Sequence, residues 1–356
     1  MYIGKNRRGQ NVSITEESPN RNVIVTGISG TGKSERIADI ETKIVQSGGT
    51  VVNMDLDGTH PEIAIPEMTN IISAREDGIP LKILDPDILK CPAEDIASFV
   101  STEAEILLSA SRAGDRQTGA LRDALLFALQ HQNNFADDFE AIEAGLIKDG
   151  SNIALGVRDK LWSLLRCNVF RKSEKKLQRE KINIISLKGL DFELKKVVAE
   201  IFLRALWNQI RMSAVTQKIT IVIDEFQNMP LGKKSTIFEM LREARKYGVN
   251  MILGTQTTSN FSKPAVSAID QAAVHLYFEP APSEVKKIAA QITGENNKMY
   301  ERMLKKLKIG ESLVSGDVKI EGKVITYPII IKTDFAKKET NAEHAFALEK
   351  LMSTGG

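Results

Sequence analysis

Apolar and polar positions alternate in short runs at the start of the chain: Tyr2-Ile3, a polar bend over Lys5–Gln10, then Val12-Ser13-Ile14. Alternation around a glycine-containing bend predicts a β-hairpin. Asn22–Thr26 (Asn-Val-Ile-Val-Thr) is a compact β-branched run, a buried strand by length and composition. A Gly-rich turn follows. Glu35–Ser47 then carries Ile37, Ile40, Ile44 and Val45 at helical spacing, and Gly48-Gly49 ends that helix. Thr50–Met54 predicts the next strand, which completes one βαβ unit and implies parallel pairing with a right-handed crossover. Leu81–Leu84 reads as a further short strand closed by Asp85-Pro86.

From Ala93 to about Leu165 the period becomes helical, through Ile96/Phe99/Val100, Ile106/Leu107, Leu121/Leu125/Leu129 and Leu161/Leu164/Leu165. The α/β rhythm then resumes. Strands are expected at Ile182–Leu187, Ile219–Ile223, Asn250–Gly254 and Val274–Phe278, with helices at Leu194–Met212, Ser235–Tyr247, Pro280–Gln291 and Met299–Leu307. Ser312–Val314, Val318–Ile320 and Val324–Ile331 look like closing strands. The expectation is an α/β doubly wound fold with a mainly parallel sheet, interrupted by an all-helical insertion. Residues 1–90 are expected to form the first part of the α/β core, 91–181 the insertion, 182–335 the second part of the core, and 336–356 a helical tail. In that tail Ala345, Phe346, Leu348 and Leu351 predict an amphipathic helix over Lys337–Met352, docked on a neighbouring subunit or packed in cis.

Composition changes this picture little. The 356 residues carry 48 Lys+Arg against 46 Asp+Glu, with 42% hydrophobic and 26% charged residues, an ordinary globular balance that excludes wholesale disorder. The longest purely apolar run, Ala124–Leu129, is far short of a membrane span, and Met1–Gln10 is polar and basic, unlike a signal peptide. A cytoplasmic protein with no direct membrane insertion is expected, touching the inner face of a membrane only through partners. Cys91 and Cys167 are expected as free thiols. Near-neutral charge neither requires nor excludes nucleic acid. The segment Arg171–Lys181, net +4, reads as a solvated helix or loop, with a nucleic-acid contact as the alternative.

The chemistry is concentrated at two places. Gly27-Ile28-Ser29-Gly30-Thr31-Gly32-Lys33-Ser34 fits G-x-x-x-x-G-K-[ST] at every fixed position, and it lies between a buried strand and a helix. The glycines let backbone N–H groups curl inward around phosphate oxygens, and the helix adds the positive end of its dipole. Gly27, Ser29, Gly30, Thr31, Gly32, Lys33 and Ser34 are the expected ATP-binding residues. Lys33 reaches the β/γ-phosphates, and the Ser34 hydroxyl ligates Mg2+. The second place is Ile219-Thr220-Ile221-Val222-Ile223-Asp224-Glu225, an apolar strand running into two carboxylates. Asp224 would hold Mg2+ directly or through water, and Glu225 would act as the general base on the attacking water. Asp55-Leu56-Asp57-Gly58 fits the D-x-x-G of a GTPase switch, yet no N-K-x-D motif accompanies it: Asn297-Lys298-Met299-Tyr300 lacks the aspartate.

With these residues in place the chain resembles the HerA/FtsK superfamily of P-loop ATPases, closest to the HerA-like branch and the TraG-like motors of conjugation and type IV secretion. The resemblance rests on Tyr2-Ile3-Gly4-Lys5 with Gly9 and Val12, on Asp55–Gly58, on Ile182–Leu190, and on the closing segments Ile309–Val314 and Tyr327–Ile331. Its most specific stretch is Leu241-Arg242-Glu243-Ala244-Arg245-Lys246-Tyr247-Gly248-Val249 followed by Gly254-Thr255-Gln256. It implies a RecA-like ASCE fold and an ATP-hydrolysing ring, a homo-hexamer, that moves DNA and is recruited by a protein partner. It also implies that Gln256 is the polar sensor of the γ-phosphate and that Arg245 is the arginine finger, with Arg242 as runner-up; a solvated helix face is the competing reading of both arginines. An ATP-dependent assembly switch that docks partners without moving DNA is the alternative function.

The chain departs from the family pattern at Thr59, where an acidic residue typically follows the D-x-x-G glycine. It also leaves no room for an N-terminal barrel, a membrane anchor or a DNA-reading winged helix, so a bare motor domain is expected. The loop Thr257–Lys263 reads as either a phosphate-backbone contact or an ordinary connection. His60, His131, His275 and His344 do not cluster at ligand spacing, and Trp162 and Trp207 are expected in the core.

Overall fold

The computed structural model describes residues 1–333 except 19–20, 110, 112, 172, 213–217, 233–234, 258–260 and 294–297. The expected tail helix over Lys337–Met352 lies outside the described residues. The N-terminal alternation forms an antiparallel hairpin of β1 (Tyr2–Asn6) and β2 (Asn11–Ile14). The β-branched run becomes β3 (Val23–Thr26), buried throughout. Helix α1 (Lys33–Gln46) follows the glycine turn, and β4 (Thr50–Asp55) follows α1. The next strand is β5 (Thr69–Ser73).

Five helices then run in succession: α2 (Ala93–Leu107), α3 (Asp115–His131), α4 (Asp138–Asp149), α5 (Asn152–Lys160) and α6 (Trp162–Arg166). Alternation resumes with β6 (Ile182–Ser186), α7 (Phe192–Met212), β7 (Ile219–Ile223), α8 (Thr236–Glu243), β8 (Val249–Thr255), α9 (Lys263–Ile269) and β9 (Val274–Tyr277). Helices α10 (Val285–Thr293) and α11 (Lys298–Leu304) lead to β10 (Glu311–Gly316), β11 (Val318–Ile320), β12 (Lys323–Ile325) and β13 (Ile329–Lys332).

All described strands join one sheet in the order β12-β11-β2-β1-β13-β10-β9-β3-β8-β7-β4-β6-β5. From β9 to β5 every pairing is parallel; from β9 to β12 every pairing is antiparallel. The core is therefore parallel, as the βαβ rhythm requires, and the N-terminal hairpin pairs with the closing strands to form an antiparallel wing. The chain leaves β3 toward β4 on one side and leaves β8 toward β9 on the other. The crevice at the C-terminal ends of β3 and β8 is thus a topological switch point, where open α/β sheets bind ligands.

Strand periodicity sorts side chains to two faces. Val23, Val25, Val222 and Ile252 pack with Ile37, Ile40 and Ile44 of α1. Ile24, Ile221, Ile223 and Leu253 pack on the opposite face with α7 and α8. The apolar residues of α2–α6 belong to that second cluster, continuous with the sheet face. Burying one such Val or Ile contributes about 1.5–3 kcal/mol.

Several expectations are corrected. Leu81–Leu84 is not a strand, because the Ile83 and Leu84 N–H groups donate to Asp138 Oδ2 at 2.8 and 3.0 Å instead of to a ladder. The unforeseen edge strand β5 pairs with β6 in its place. Val324–Ile331 is two strands broken around Pro328, which has no N–H to donate. Trp207 is fully buried, but Trp162 is 51% exposed with the Arg166 guanidinium over its ring. The described residues of the basic segment after α6 are in neither helix nor strand, which falls within the expected helix or loop. There Lys175 donates to Ile71 O and pairs with Asp77, Arg171 donates to the carbonyls of Arg75 and Glu76, and Lys181 donates to Glu67 O. Cys91 and Cys167 are free and half-buried. Among the described residues no helix is long and apolar enough to cross a membrane.

Candidate functional site

The glycine loop leaves the sheet between two strands. The Gly27 N–H donates to Thr255 O of β8 (3.2 Å) and the Ile28 N–H to Glu279 O beyond β9 (2.9 Å). The chain then curls through Gly30 and Gly32 at φ 79° and 99°, a conformation costly for residues with a Cβ. Gly32 caps α1 without a side-chain acceptor, so the first N–H groups of the helix face the loop. The Thr31 hydroxyl and the Lys33 ammonium both donate to Ile28 O, at 2.7 and 3.1 Å, and Lys33 is 5% exposed. The lysine is therefore folded over the concavity whose N–H groups suit an anion.

The two halves of the expected site meet. The Ser34 hydroxyl donates to Asp224 Oδ2 at 2.6 Å, joining the start of α1 to the end of β7. Asp224 Oδ1 accepts from the Glu225 N–H at 3.0 Å. A Cβ on Gly254 of β8 would fall 2.2 Å from that oxygen, so only glycine leaves room for the carboxylate. Glu225 sits in the left-handed region at φ 57°, a placement costing on the order of 1 kcal/mol that the surroundings must hold. Its carboxylate is gripped from both sides. Gln256, just beyond β8, donates to Oε1 at 2.9 Å, and Gln227 donates to Oε2.

Behind these residues lies a buried polar layer. Asp55, at the end of β4, accepts the Gly58 N–H on Oδ1 (2.9 Å) with the Thr59 and His60 N–H groups also turned toward its carboxylate, while Oδ2 is buried without a full hydrogen bond among the described residues. Burial raises the Asp55 carboxyl above the usual aspartate range. Glu41 of α1 is fully buried; it accepts from Asn53 of β4 (2.6 Å) and pairs with His60 Nε2 (2.5 Å). Burial alone would lower the imidazole pKa, but the Glu41 carboxylate, with Asp55 and Asp224 nearby, outweighs it and the net shift is upward.

Arg245 is elsewhere. It is exposed, in a 3-10 turn (Ala244–Tyr247) before β8, at the N-terminal edge of the parallel strands. The seven residues of β8 span roughly 20 Å, so its side chain is remote from Lys33 of the same chain. It lines a cleft of about 600 Å³ with Arg21, Lys43 and Lys218, and among the described residues no acid contributes to the lining. Arg242 is exposed on α8. In the loop after Gln256, Thr257 donates to Glu284 (2.9 Å), and Phe261 packs on Phe226 with ring centroids 5.1 Å apart. Thr258, Ser259 and Asn260 lie outside the described residues.

Gln227, Glu41, Asn53 and His60 were not expected at the site. Gln227 follows Glu225 in a 3-10 turn, where no periodicity singles it out. The other three meet only through the packing of α1 on β4. Among the described residues no group of three or more His, Cys, Asp or Glu is placed to hold a metal by itself. A hydroxyl and a carboxylate in contact, with glycine-cradled backbone beside them, do fit a magnesium ion that shares its shell with phosphate oxygens.

The family model described as helicase HerA, central domain, matches residues 2–206. The chain belongs to the HerA central-domain family. HerA-family relatives include the DNA double-strand break repair helicase HerA of Sulfolobus acidocaldarius, 20% identical over 88% of this chain and 65% of that protein. The same helicase of Sulfurisphaera tokodaii is 23% identical over 95% of this chain and 73% of that protein. The chain thus spans about two-thirds of the length of these relatives. Among solved structures, VirB4 of Thermoanaerobacter pseudethanolicus superposes with a TM-score of 0.74 at 15% identity, covering 95% of this chain and 96% of that one. The plasmid coupling protein TrwB in complex with ADP and Mg2+ gives 0.62 at 14% identity, covering 89% and 86%. These likenesses establish the RecA-like P-loop fold for the HerA-family chain.

Proposed function

We propose that the chain is an ATP-driven motor that assembles as a ring, a homo-hexamer, and moves DNA, with a protein partner that recruits it. It works in the cytoplasm and reaches a membrane only through partners. One observation carries the reading: Lys33, the Ser34–Asp224 contact and the Glu225–Gln256 contact converge at one crevice although their residues are far apart in sequence. The HerA relatives, named as DNA repair helicases, and TrwB, solved with ADP and Mg2+, support DNA as cargo and ATP as fuel.

In this reading the loop Gly27–Ser34 wraps the phosphates, and Lys33 leaves Ile28 O to pair with them. Ser34 and Asp224 would hold magnesium, which supplies charge neutralisation of the phosphate oxygens. Glu225 takes a proton from the water whose oxygen attacks the γ-phosphorus, and ADP leaves with the bridging oxygen's electron pair. Gln256 trades its bond to Glu225 for one to the γ-phosphate or the water, so loss of that phosphate is felt at the end of β8. Arg245 acts in trans. It stands at the wrong edge of its own sheet and in an all-cation cleft, so it serves a neighbour packed head to tail.

The test is ATPase turnover with and without DNA. Stimulation by DNA that Lys33→Ala abolishes supports the motor. Turnover indifferent to single- and double-stranded DNA alike would favour an assembly switch.

A further inference from the structure

We propose that Asp55 is a second magnesium-facing carboxylate of this site, an outer-sphere partner of Asp224, and that Glu41 and His60 are positioning residues that hold its loop. This rests on the nucleotide-site reading above. Strand register carries it. Parallel partners lie side by side with their side chains on the same face of the sheet, and β4 pairs with β7 as Asn53↔Val222 and Met54↔Ile223. Asp55 and Asp224 are the next step of that register. The face is fixed twice: Asn53 reaches Glu41 of α1, and Asp224 reaches Ser34 of α1. Asp55, two residues after Asn53, therefore faces α1 beside Asp224.

Its two oxygens have different lots. The carboxylate faces the backbone of its own loop, with the Gly58 N–H on Oδ1 and the Thr59 and His60 N–H groups turned toward it, while Oδ2 is buried without a full hydrogen bond among the described residues, on a residue only 4% exposed. A buried carboxylate oxygen left unpaired is costly, so its retention here marks a place for a donor. A water held by magnesium is such a donor, and a carboxylate orients it. The support is equally specific. Glu41 lies seven residues after Ser34 on the same side of α1, and its two oxygens clamp Asn53, two residues before Asp55, and His60, two residues after Gly58. One helix thus positions both aspartates, Asp224 directly through Ser34 and Asp55 through the Asn53 and His60 contacts of Glu41. Within this loop Asp57 and Thr59 are exposed, which leaves Asp55 as its buried acid.

The experiment uses the full chain and calorimetric binding of a non-hydrolysable ATP analogue, titrated with Mg2+ and repeated in EDTA. Asp55→Asn keeps the Oδ1 acceptor for Gly58 and removes the charge. We expect the half-saturating Mg2+ concentration to rise roughly 10-fold, with affinity in EDTA unchanged. Asp57→Asn, exposed in the same loop, should change neither. Wild-type magnesium dependence in Asp55→Asn would overturn the proposal while leaving the nucleotide site standing. A wild-type chain whose nucleotide affinity ignores magnesium would overturn this proposal alone, and one that binds no nucleotide with or without magnesium would sink both. Should Asp55→Asn fail to fold, the wild type with Mn2+, the nucleotide analogue and 13C-carboxyl aspartate decides. Two aspartate carbons coupled to the metal support the proposal, and a single one overturns it.

Discussion

The two edges of the parallel sheet carry opposite charge. At the C-terminal edge stand Asp55, Asp224 and Glu225, with Lys33 of the adjoining glycine loop and Lys188 beside Gly58. At the N-terminal edge Arg21, Lys43, Lys218 and Arg245 share a cleft with no acid among its described lining residues. Strands of this length keep the edges roughly 20 Å apart, so neither can neutralise the other within one chain. Opposite charge at opposite ends of a rigid sheet favours head-to-tail contact between copies, a heterologous interface that closes into a ring when the rotation permits. The contrast also separates two tasks. Binding the phosphates needs only the C-terminal edge, whereas stabilising the charge that spreads over a transferring phosphoryl group needs a cation brought from outside it.

The largest effect that can break this contrast belongs to Arg245. Arg245→Ala should lower ATP turnover by about 10³-fold, the scale of a lost arginine finger, without weakening nucleotide binding. Mixing Arg245→Ala subunits with Glu225→Gln subunits should restore part of the activity, because some interfaces regain an intact base and an intact finger. Intact rings with no rescue at any ratio would place Arg245 on a merely solvated face. Next in size is Glu225→Gln, expected to cost about 10²-fold or more in turnover while nucleotide stays bound. Equal losses in binding and turnover would show that Glu225 shapes the pocket rather than the reaction. Gln256→Ala should be smaller, about 10-fold in turnover, the scale of one lost hydrogen bond to a charged group. Its diagnostic readout is DNA stimulation, which should fall further than basal turnover if the amide reports phosphate loss to the sheet.

What could be read from the chain alone follows from how local each signal is. The glycine loop, β7 and the acids after it are contiguous motifs bounded by buried strands, so their meeting at Ser34–Asp224 was legible before any coordinates. The Glu41–His60–Asn53 layer was not, because each residue is ordinary in its own segment and the three meet only through the packing of α1 on β4. Edge strand β5 escaped because Thr-Asn-Ile-Ile-Ser is short and half exposed, while the more apolar Leu81–Leu84 is claimed by the distant Asp138 carboxylate. Trp162 shows the limit of helical spacing. Its helix is only five residues long, so periodicity assigns it a face that tertiary packing does not cover. The helix expected over Ser235–Tyr247 tightens to a 3-10 turn at Ala244, which moves Arg245 off the face that a continuous α-helix would give it.

The smallest predicted effect tests the cleft rather than its principal arginine. Lys43 stands in the last turn of α1 and Lys218 just before β7; both are exposed, and as point charges they contribute through space rather than by shaped hydrogen bonding. Exposed charges of this kind contribute about 0.5–1 kcal/mol each, so Lys43→Gln or Lys218→Gln should lower turnover roughly two- to five-fold at low salt. Salt decides the cause. Screening shortens the reach of an exposed charge to about 10 Å at 0.1 M and about 3 Å at 1 M, so the deficit of each variant should close as salt rises. The Arg245→Ala deficit should persist if the guanidinium acts by contact with a neighbouring subunit. Parallel salt curves for the lysine variants and the wild type would mean that the cleft's field plays no part. Arg245 would then stand alone, and the opposite charges of the two edges would be a property of the fold without a role in assembly.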